Sequence, residues 1–100
     1  DEAPDSVTFK LLVNQTPVGN ITIGKANTNF GKDTMEILNI YLSKDANHLD
    51  VARKAIIHLF EIYPDINRFI IQPKVESQDF WFKLDGQRID KNYMIILRGH

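Results

Sequence analysis

Alternating hydrophobic and polar positions dominate the first part of the chain, a pattern typical of β-strands. Val7–Val13 is rich in β-forming residues, and residues 18–25 place Ile21 and Ile23 between polar neighbours. Residues 14–17, Asn-Gln-Thr-Pro, have turn chemistry. The pattern therefore predicts an antiparallel hairpin.

A third strand is predicted over residues 34–43, after a loop at residues 26–33 that holds two asparagines, a glycine and an aspartate. Apolar residues fall on both faces of this strand, as expected for a strand buried inside a sheet. They are Met35, Ile37, Leu38, Ile40, Tyr41 and Leu42.

The hydrophobic period then changes to that of an amphipathic helix. Asn47 is the predicted N-cap, with Asp50 three residues later in a capping-box position, and Pro64 ends the helix. Its apolar face consists of Leu49, Ala52, Ala55, Ile56, Leu59, Phe60 and Tyr63.

The last third of the chain predicts a short strand over residues 68–72 and a second, shorter helix around residues 77–84. Gly86 is expected to break this helix. Residues 87–97 should form a final strand or hairpin, with residues 93–97 as its strong half.

The element order β-β-β-α-β-α-β predicts an α+β fold with a mixed, mostly antiparallel sheet of about five or six strands and two helices. The strand–helix–strand unit at residues 34–72 should be a right-handed parallel crossover. One domain over residues 1–100 is predicted, with residues 1–6 as a disordered lead-in. The sequence leaves open whether this domain is part of a longer chain.

Composition narrows the class of protein. Twelve basic and thirteen acidic residues give a net charge of −1, and the basic residues are scattered from Lys10 to Arg98, so a nucleic-acid surface is not expected. His58 and Glu61 interrupt the most apolar stretch, so no membrane span is expected. The chain has no cysteine, which excludes thiolate metal sites, and the histidines do not have metal-ligand spacing. The cellular location stays open, with the cytoplasm favoured.

Two stretches and the element order resemble the N-acetyltransferase superfamily, the GNAT fold. Residues 35–42, Met-Glu-Ile-Leu-Asn-Ile-Tyr-Leu, are similar to the strand that ends in the family's cofactor loop. The loop itself, Gln/Arg-x-x-Gly-x-Gly/Ala in the family, falls on residues 47–52. Residues 77–84, Ser-Gln-Asp-Phe-Trp-Phe-Lys-Leu, are similar to the family's late helix.

The resemblance implies a site for acetyl-coenzyme A. Backbone groups of Ile40, Tyr41 and Leu42 would hold the pantetheine arm, and a helix N-terminus would hold the pyrophosphate. The residues at that N-terminus are Asn47, His48, Leu49, Asp50, Val51 and Ala52. The resemblance also puts Glu36 where some members place the general base; the alternative is a solvated glutamate at a sheet edge.

Three departures from the family pattern oppose this activity. The family's first strand and the two helices after it are expected to have no counterpart. Asp50 replaces the loop glycine, and a carboxylate about 5 Å from a phosphate costs ~3 kcal/mol, whereas a helix N-terminus returns only ~0.3–2 kcal/mol. Trp81 occupies the position of the tyrosine that protonates the leaving thiolate, and an indole is no usable acid.

Two hypotheses follow from the resemblance. In a third, the chain has an unrelated small α+β fold and the resemblance is accidental. The first is a degenerate acetyltransferase-like domain without cofactor, which acts as an interaction or structural module with a protein partner or with other domains of a parent chain. The second is an acetyl-CoA-dependent N-acetyltransferase that uses Glu36 as base. An open edge at Val7–Val13 would allow strand addition by a partner or a homodimer.

Overall fold

The computed structural model describes residues 6–99, with Thr28 described by its backbone alone. It contains six strands and two helices: β1 (Val7–Val13), β2 (Thr16–Lys25), β3 (Thr34–Leu42), α1 (His48–Ile62), β4 (Arg68–Ile71), α2 (Gln78–Phe82), β5 (Gln87–Arg88) and β6 (Met94–Leu97). Single 3-10 turns lie at Thr28–Phe30 and Val75–Ser77. The lead-in expected at residues 1–6 lies, except for Ser6, outside the described residues.

All six strands belong to one sheet in the order β1-β2-β3-β4-β6-β5. β3 and β4 are parallel, with α1 as the crossover between them, and every other neighbouring pair is antiparallel. This confirms the predicted mixed, mostly antiparallel sheet. The final segment forms the hairpin β5–β6.

One face of the sheet carries the hydrophobic core. The pairing register aligns Ile23 with Ile37, and Ile37 with Ile71, so these side chains lie side by side on the face that packs against α1. The helix contributes the buried residues Ala52, Ala55, Ile56, Leu59 and Phe60. Each large side chain buried here contributes about 1.5–3 kcal/mol. The predicted helical face is thereby confirmed.

The first hairpin turns through Asn14 and Gln15, whose φ angles are +51° and +70°. Val13 pairs directly with Thr16, so the loop has two residues. Two consecutive positive φ angles in a two-residue loop define a type I′ turn, whose twist matches that of the flanking strands.

The break after α2 differs from the expectation. The residue with left-handed backbone is Asp85, with φ +67°, rather than Gly86. Gly86 has another role: its amide donates to the Trp81 carbonyl at 2.9 Å. A Cβ on Gly86 would lie 2.7 Å from that carbonyl oxygen, so close approach of the two backbones is what requires glycine here.

Candidate active site

The strands β3 and β4 pair along only part of their length. Their parallel ladder joins residues 34–37 to residues 68–71, after which β4 ends and β3 continues to Leu42. Within residues 6–99, no strand pairs with the β4-facing edge of β3 beyond Ile37. This free edge includes Ile40, Tyr41 and Leu42, the segment singled out by the sequence resemblance.

A β-bulge marks the point where the two strands diverge. Ile23 pairs with Ile37 and Thr22 with Asn39, so Leu38 is an extra residue on β3. A bulge bends its strand and increases the local twist. Leu38 is 50% exposed and Tyr41 58% exposed. The expectation that β3 is buried on both faces is therefore wrong beyond Ile37, because the core lies against the other face.

Glu36 lies just before this divergence. Its register neighbours are Gly24 on β2 and Ile70 on β4. It points to the face opposite the core, because the next residue, Ile37, faces α1. Burial raises the pKa of the Glu36 carboxyl above its usual value. The side chain thus belongs to a central strand and is half-buried, and it does not lie at a sheet edge.

The N-terminus of α1 is the second part of the site. Asn47 is its N-cap, as predicted, and the side-chain oxygen of Asn47 accepts from the Asp50 amide at 3.1 Å. This satisfies one of the amides left free at a helix start. His48 Nε2 donates to the Ser43 carbonyl oxygen at 2.7 Å and fixes the preceding loop.

Two residues of opposite charge lie near this helix end. Lys54 Nζ lies 3.2 Å from the Asp50 carboxylate, one helical turn further along α1. Both side chains are largely exposed, so the pair contributes little to stability. It does place a cation beside the carboxylate that the sequence suggested would repel a phosphate.

Most of these candidate residues lie at the C-terminal end of β3, and Glu36 lies nearer its start. Residues 43–47 join the end of β3 to α1, so the free edge of β3 and the residues at positions 47–52 are neighbours along the chain. Glu36 precedes Ile40 by four residues, which is about 13 Å along a strand. Among residues 6–99 no group of three His, Asp or Glu side chains could hold a metal ion. The described part of the chain also has no helix long and apolar enough to cross a membrane.

Trp81 is part of the hydrophobic core. It is 5% exposed, belongs to the core cluster, and its ring contacts Phe80 edge-to-face with centroids 5.1 Å apart. The exposed aromatic residue of α2 is Phe82. The indole therefore has a packing role.

Sequence reasoning overlooked a contact between two aromatic residues that lie outside the strands and helices α1 and α2. Phe30 and Tyr93 come from separate connecting segments, and their rings meet edge-to-face with centroids 5.1 Å apart. The available signal was one aromatic residue in each of two largely polar stretches, residues 26–33 and 87–93. Only the three-dimensional fold brings them together.

No family model matches the sequence, and no curated protein matches it. Solved acetyltransferase structures do resemble the fold. Gcn5 of Tetrahymena superposes with a TM-score of 0.72 at 9% identity, covering 97% of this chain and 71% of that one. The PaiA N-acetyltransferase of Thermoplasma acidophilum, in complex with coenzyme A, gives 0.67 at 15% identity, with coverages of 96% and 62%.

A third similar structure is the aminoglycoside acetyltransferase AAC(6′)-Ib in complex with coenzyme A and kanamycin. Its TM-score is 0.70 at 14% identity, and the alignment covers 94% of this chain and 67% of that enzyme. The fold is thus of the acetyltransferase class. More narrowly, the protein has a GNAT-like fold, which confirms the resemblance seen in the sequence. At such low identity the similarity establishes the fold alone.

Proposed function

We propose that the protein is an acetyl-CoA-dependent N-acetyltransferase in which Glu36 is the general base. The observation that carries this proposal is the placement of Glu36: a half-buried carboxylate on a central strand, beside the point where β3 and β4 separate. Its pKa is raised by burial, which brings it nearer to the range in which a base is effective. The coenzyme A complexes of PaiA and AAC(6′)-Ib support the choice of cofactor.

The described residues fit such a cofactor in two places. The free edge of β3 has unpaired main-chain groups. The amides of the pantetheine arm could pair with them as a neighbouring strand does. The start of α1 offers amide donors to a phosphate. The Asp50 carboxylate weakens phosphate binding at the start of α1. The Lys54 ammonium, 3.2 Å from that carboxylate, offsets its negative charge.

In this mechanism, the cofactor supplies an acetyl group on a sulfur leaving group. Glu36 removes a proton from the acceptor ammonium, either directly or through water, and frees the nitrogen lone pair. The freed nitrogen would bond to the acetyl carbon while the carbon–sulfur bond breaks, and the sulfur would leave with that electron pair and take up the second proton that the nitrogen loses. Removal of one proton by a positioned carboxylate contributes about 10²–10⁴-fold to the rate.

One observation favours a second function, that of a non-catalytic acetyltransferase-like module. The Asn47 side chain already accepts a hydrogen bond from the Asp50 amide, and the Asp50 carboxylate lies in the first turn of α1. The chain itself thus supplies an acceptor and a negative charge at this helix N-terminus. Such a module would act through a protein partner or the remainder of a parent chain. β1 is an edge strand of the sheet, which leaves strand addition or homodimer formation open.

Calorimetric titration of acetyl-CoA separates the two functions. The unmodified protein is compared with Asp50→Gly, Asp50→Asn and Lys54→Ala. Micromolar binding by the unmodified protein, weakened by Lys54→Ala, supports the enzyme. Binding only by Asp50→Gly or Asp50→Asn indicates a cofactor site lost through that carboxylate, and absence of binding by all four proteins excludes the enzyme.

An acetyl-transfer assay with Glu36→Gln completes the test. The expected loss is about 10²–10⁴-fold in kcat with unchanged affinity for acetyl-CoA. Glu76→Gln, at an exposed position in the 3-10 turn before α2, is the matched control. Equal rates for the two variants would remove Glu36 from the mechanism.

A further inference from the structure

A cleft of about 380 Å³ lies between the strand β1 and the helix α1. From the sheet, this β1–α1 cleft is lined by Phe9, Leu11 and Val13 of β1 and by the buried Ile21 of β2. From α1 it is lined by one side of the helix, including Asp50, Val51, Lys54, Ala55, His58 and Ile62. That side of α1 is about 18 Å long, which is close to the length of the seven-residue strand beside it.

The strand that lines this cleft lies at one edge of the sheet. Among residues 6–99, β1 pairs with β2 alone, so the N–H and C=O groups along its other edge have no strand partner. A strand added at this edge would lie about 4.8 Å from β1. Half of its side chains would then lie beside Phe9, Leu11 and Val13, the residues through which β1 lines the cleft.

Exposed apolar side chains lie on both sides of the cleft. On β1, Val7 is 44% exposed and Val13 is 45% exposed, and Ile62 of α1 is 52% exposed. Proteins usually protect a free edge strand with several charged residues or with proline. β1 has one charged residue and no proline. This edge is therefore better suited to pairing with another chain than to permanent contact with water.

The charged residue of β1, Lys10, limits which chain can pair with this edge. Its side chain lies on the face away from α1, because its neighbours Phe9 and Leu11 pack against the core. Its register partner on β2 is the uncharged Asn20, and none of the ion pairs found among residues 6–99 includes it. An acidic residue opposite Lys10 on an added strand would form a favourable cross-strand pair.

A second copy of β1 is a poor occupant of the same edge. An antiparallel pair that uses all seven residues of two β1 strands aligns Val7 with Val13 and centres on Lys10. The two lysines would then lie directly opposite each other, and like charges in that position destabilise a sheet. The charge of Lys10 therefore favours a different chain over a dimer of this one.

We propose that the free edge of β1 and the β1–α1 cleft bind an extended segment of a partner protein. Its apolar side chains point towards α1, and an acidic side chain lies opposite Lys10. Main-chain hydrogen bonds to β1 supply affinity, whereas the cleft and Lys10 select the sequence. Glu36 and the free edge of β3 have no part in this recognition, so it is measurable whether or not the protein transfers acetyl groups.

The test is an NMR titration with the synthetic peptide acetyl-Val-Thr-Ile-Glu-Ile-Thr-Val-amide, at concentrations where the peptide is monomeric. Its sequence reads the same in both directions, so the glutamate can face Lys10 in either strand orientation. The matched control peptide has lysine in place of glutamate. The glutamate peptide should bind about fivefold more tightly and shift the amide resonances of β1 and of the α1 residues at the cleft. Equal affinities, absence of binding or shifts confined to another surface would overturn the proposal.

Variants test Lys10 and the cleft separately. Lys10→Glu should reverse the preference, so that the lysine peptide binds more tightly than the glutamate peptide. Val51→Phe, which fills the cleft, should weaken the glutamate peptide about fivefold, because its apolar side chains lose buried contacts. Ile57→Phe, at an exposed position of α1 that does not line the cleft, is the matched control and should leave the affinity unchanged. Circular dichroism melts verify that each variant is folded, and a Lys10→Glu variant that still prefers the glutamate peptide would contradict the role of Lys10.

Two further measurements separate this proposal from its alternatives. Analytical ultracentrifugation without peptide should show a monomer, and a dimer with hydrogen-exchange protection along β1 would assign the edge to a second copy. Peptide binding without acetyl transfer would overturn the proposed enzyme and leave the peptide site. Acetyl transfer without peptide binding would leave the enzyme and overturn the peptide site.

Discussion

Arg98 and Phe60 contact each other in two ways. The guanidinium carbon of Arg98 lies 4.8 Å from the centroid of the Phe60 ring. The same guanidinium donates to the Phe60 carbonyl oxygen at 3.1 Å. Its other nitrogen donates to the carbonyl oxygens of Tyr63, Pro64 and Ile66. Since the last turn of α1 has no basic residue, Arg98 supplies the cation at its C-terminus from beyond β6.

Replacing Arg98 should therefore destabilise the fold. Arg98→Ala is expected to lower the free energy of unfolding by about 2–3 kcal/mol, because several main-chain carbonyls lose a charged donor. Arg98→Lys keeps the charge but not the planar fork, and should cost about 1–2 kcal/mol. Urea unfolding followed by circular dichroism measures both. Arg88→Ala, at an exposed position, should stay within about 0.5 kcal/mol; an Arg98→Lys variant as stable as the unmodified protein would contradict the role of the fork.

Glu36 should destabilise the native state at neutral pH. Because burial raises its pKa in the folded protein, the fold favours the protonated form. Stability contributed by this group is present below the unfolded pKa of about 4.3 and is lost as the pH rises through the folded value. Glu36→Gln should consequently raise the free energy of unfolding at pH 7 more than at pH 4, measured by urea titration. No difference between the two pH values would contradict this origin of the shift.

Asp33 should have the opposite pH dependence. Hydrogen bonds from Asn67, and then from Arg68, lower the pKa of its carboxyl. A lowered folded pKa contributes stability above the unfolded pKa of about 3.9, and that stability is lost as the pH falls through the folded value. Asp33→Asn should be less stable than the unmodified protein at pH 7, and the difference should shrink towards pH 2. A constant difference over that range would contradict the electrostatic assignment.

Gly19 should not tolerate a side chain. A Cβ at this position on β2 would lie 2.0 Å from the carbonyl oxygen of Tyr41 on β3. Gly19→Ala is expected to cost about 3 kcal/mol, because the two strands must separate to accommodate the methyl group. Gly99→Ala is the control, since a Cβ there has no neighbour within 4 Å. Thermal melts of the two variants compare them, and equal melting temperatures would show that β2 and β3 adjust freely.

The elements and the core could be predicted because local sequence determines them. The alternation in Val7–Val13, the helical spacing of the α1 residues and the N-cap at Asn47 each depend on positions a few residues apart. The bulge at Leu38 could not be predicted, because an extra residue in a strand is defined only by its partner. The same holds for Phe30 with Tyr93 and for Arg98 at the end of α1, whose contacts join distant parts of the chain.

Part of the candidate site could likewise be predicted from the sequence, and part could not. The stretch around Glu36 was recognisable from its sequence. The burial that raises the pKa of the Glu36 carboxyl, in contrast, arises from the whole sheet. The expected repulsion of a phosphate by Asp50 counts that carboxylate alone. The Lys54 ammonium one turn later changes that local charge, and spacing on a helix would have been enough to suggest the pair.

The short ladder between β3 and β4 also has a consequence for folding, because contacts between distant residues cost more chain entropy than local ones. Strands β1, β2 and β3 follow one another through connections of two and eight residues, so their pairing closes only small loops. The pairing of β4 with β3 spans four residues and must wait until the 25 residues between the two strands have been arranged. Until then the whole outer edge of β3 is available to any other extended chain. The part of that edge beyond Ile37 stays unpaired in the folded protein. A ligand that pairs with it would therefore also protect the molecule from aggregation.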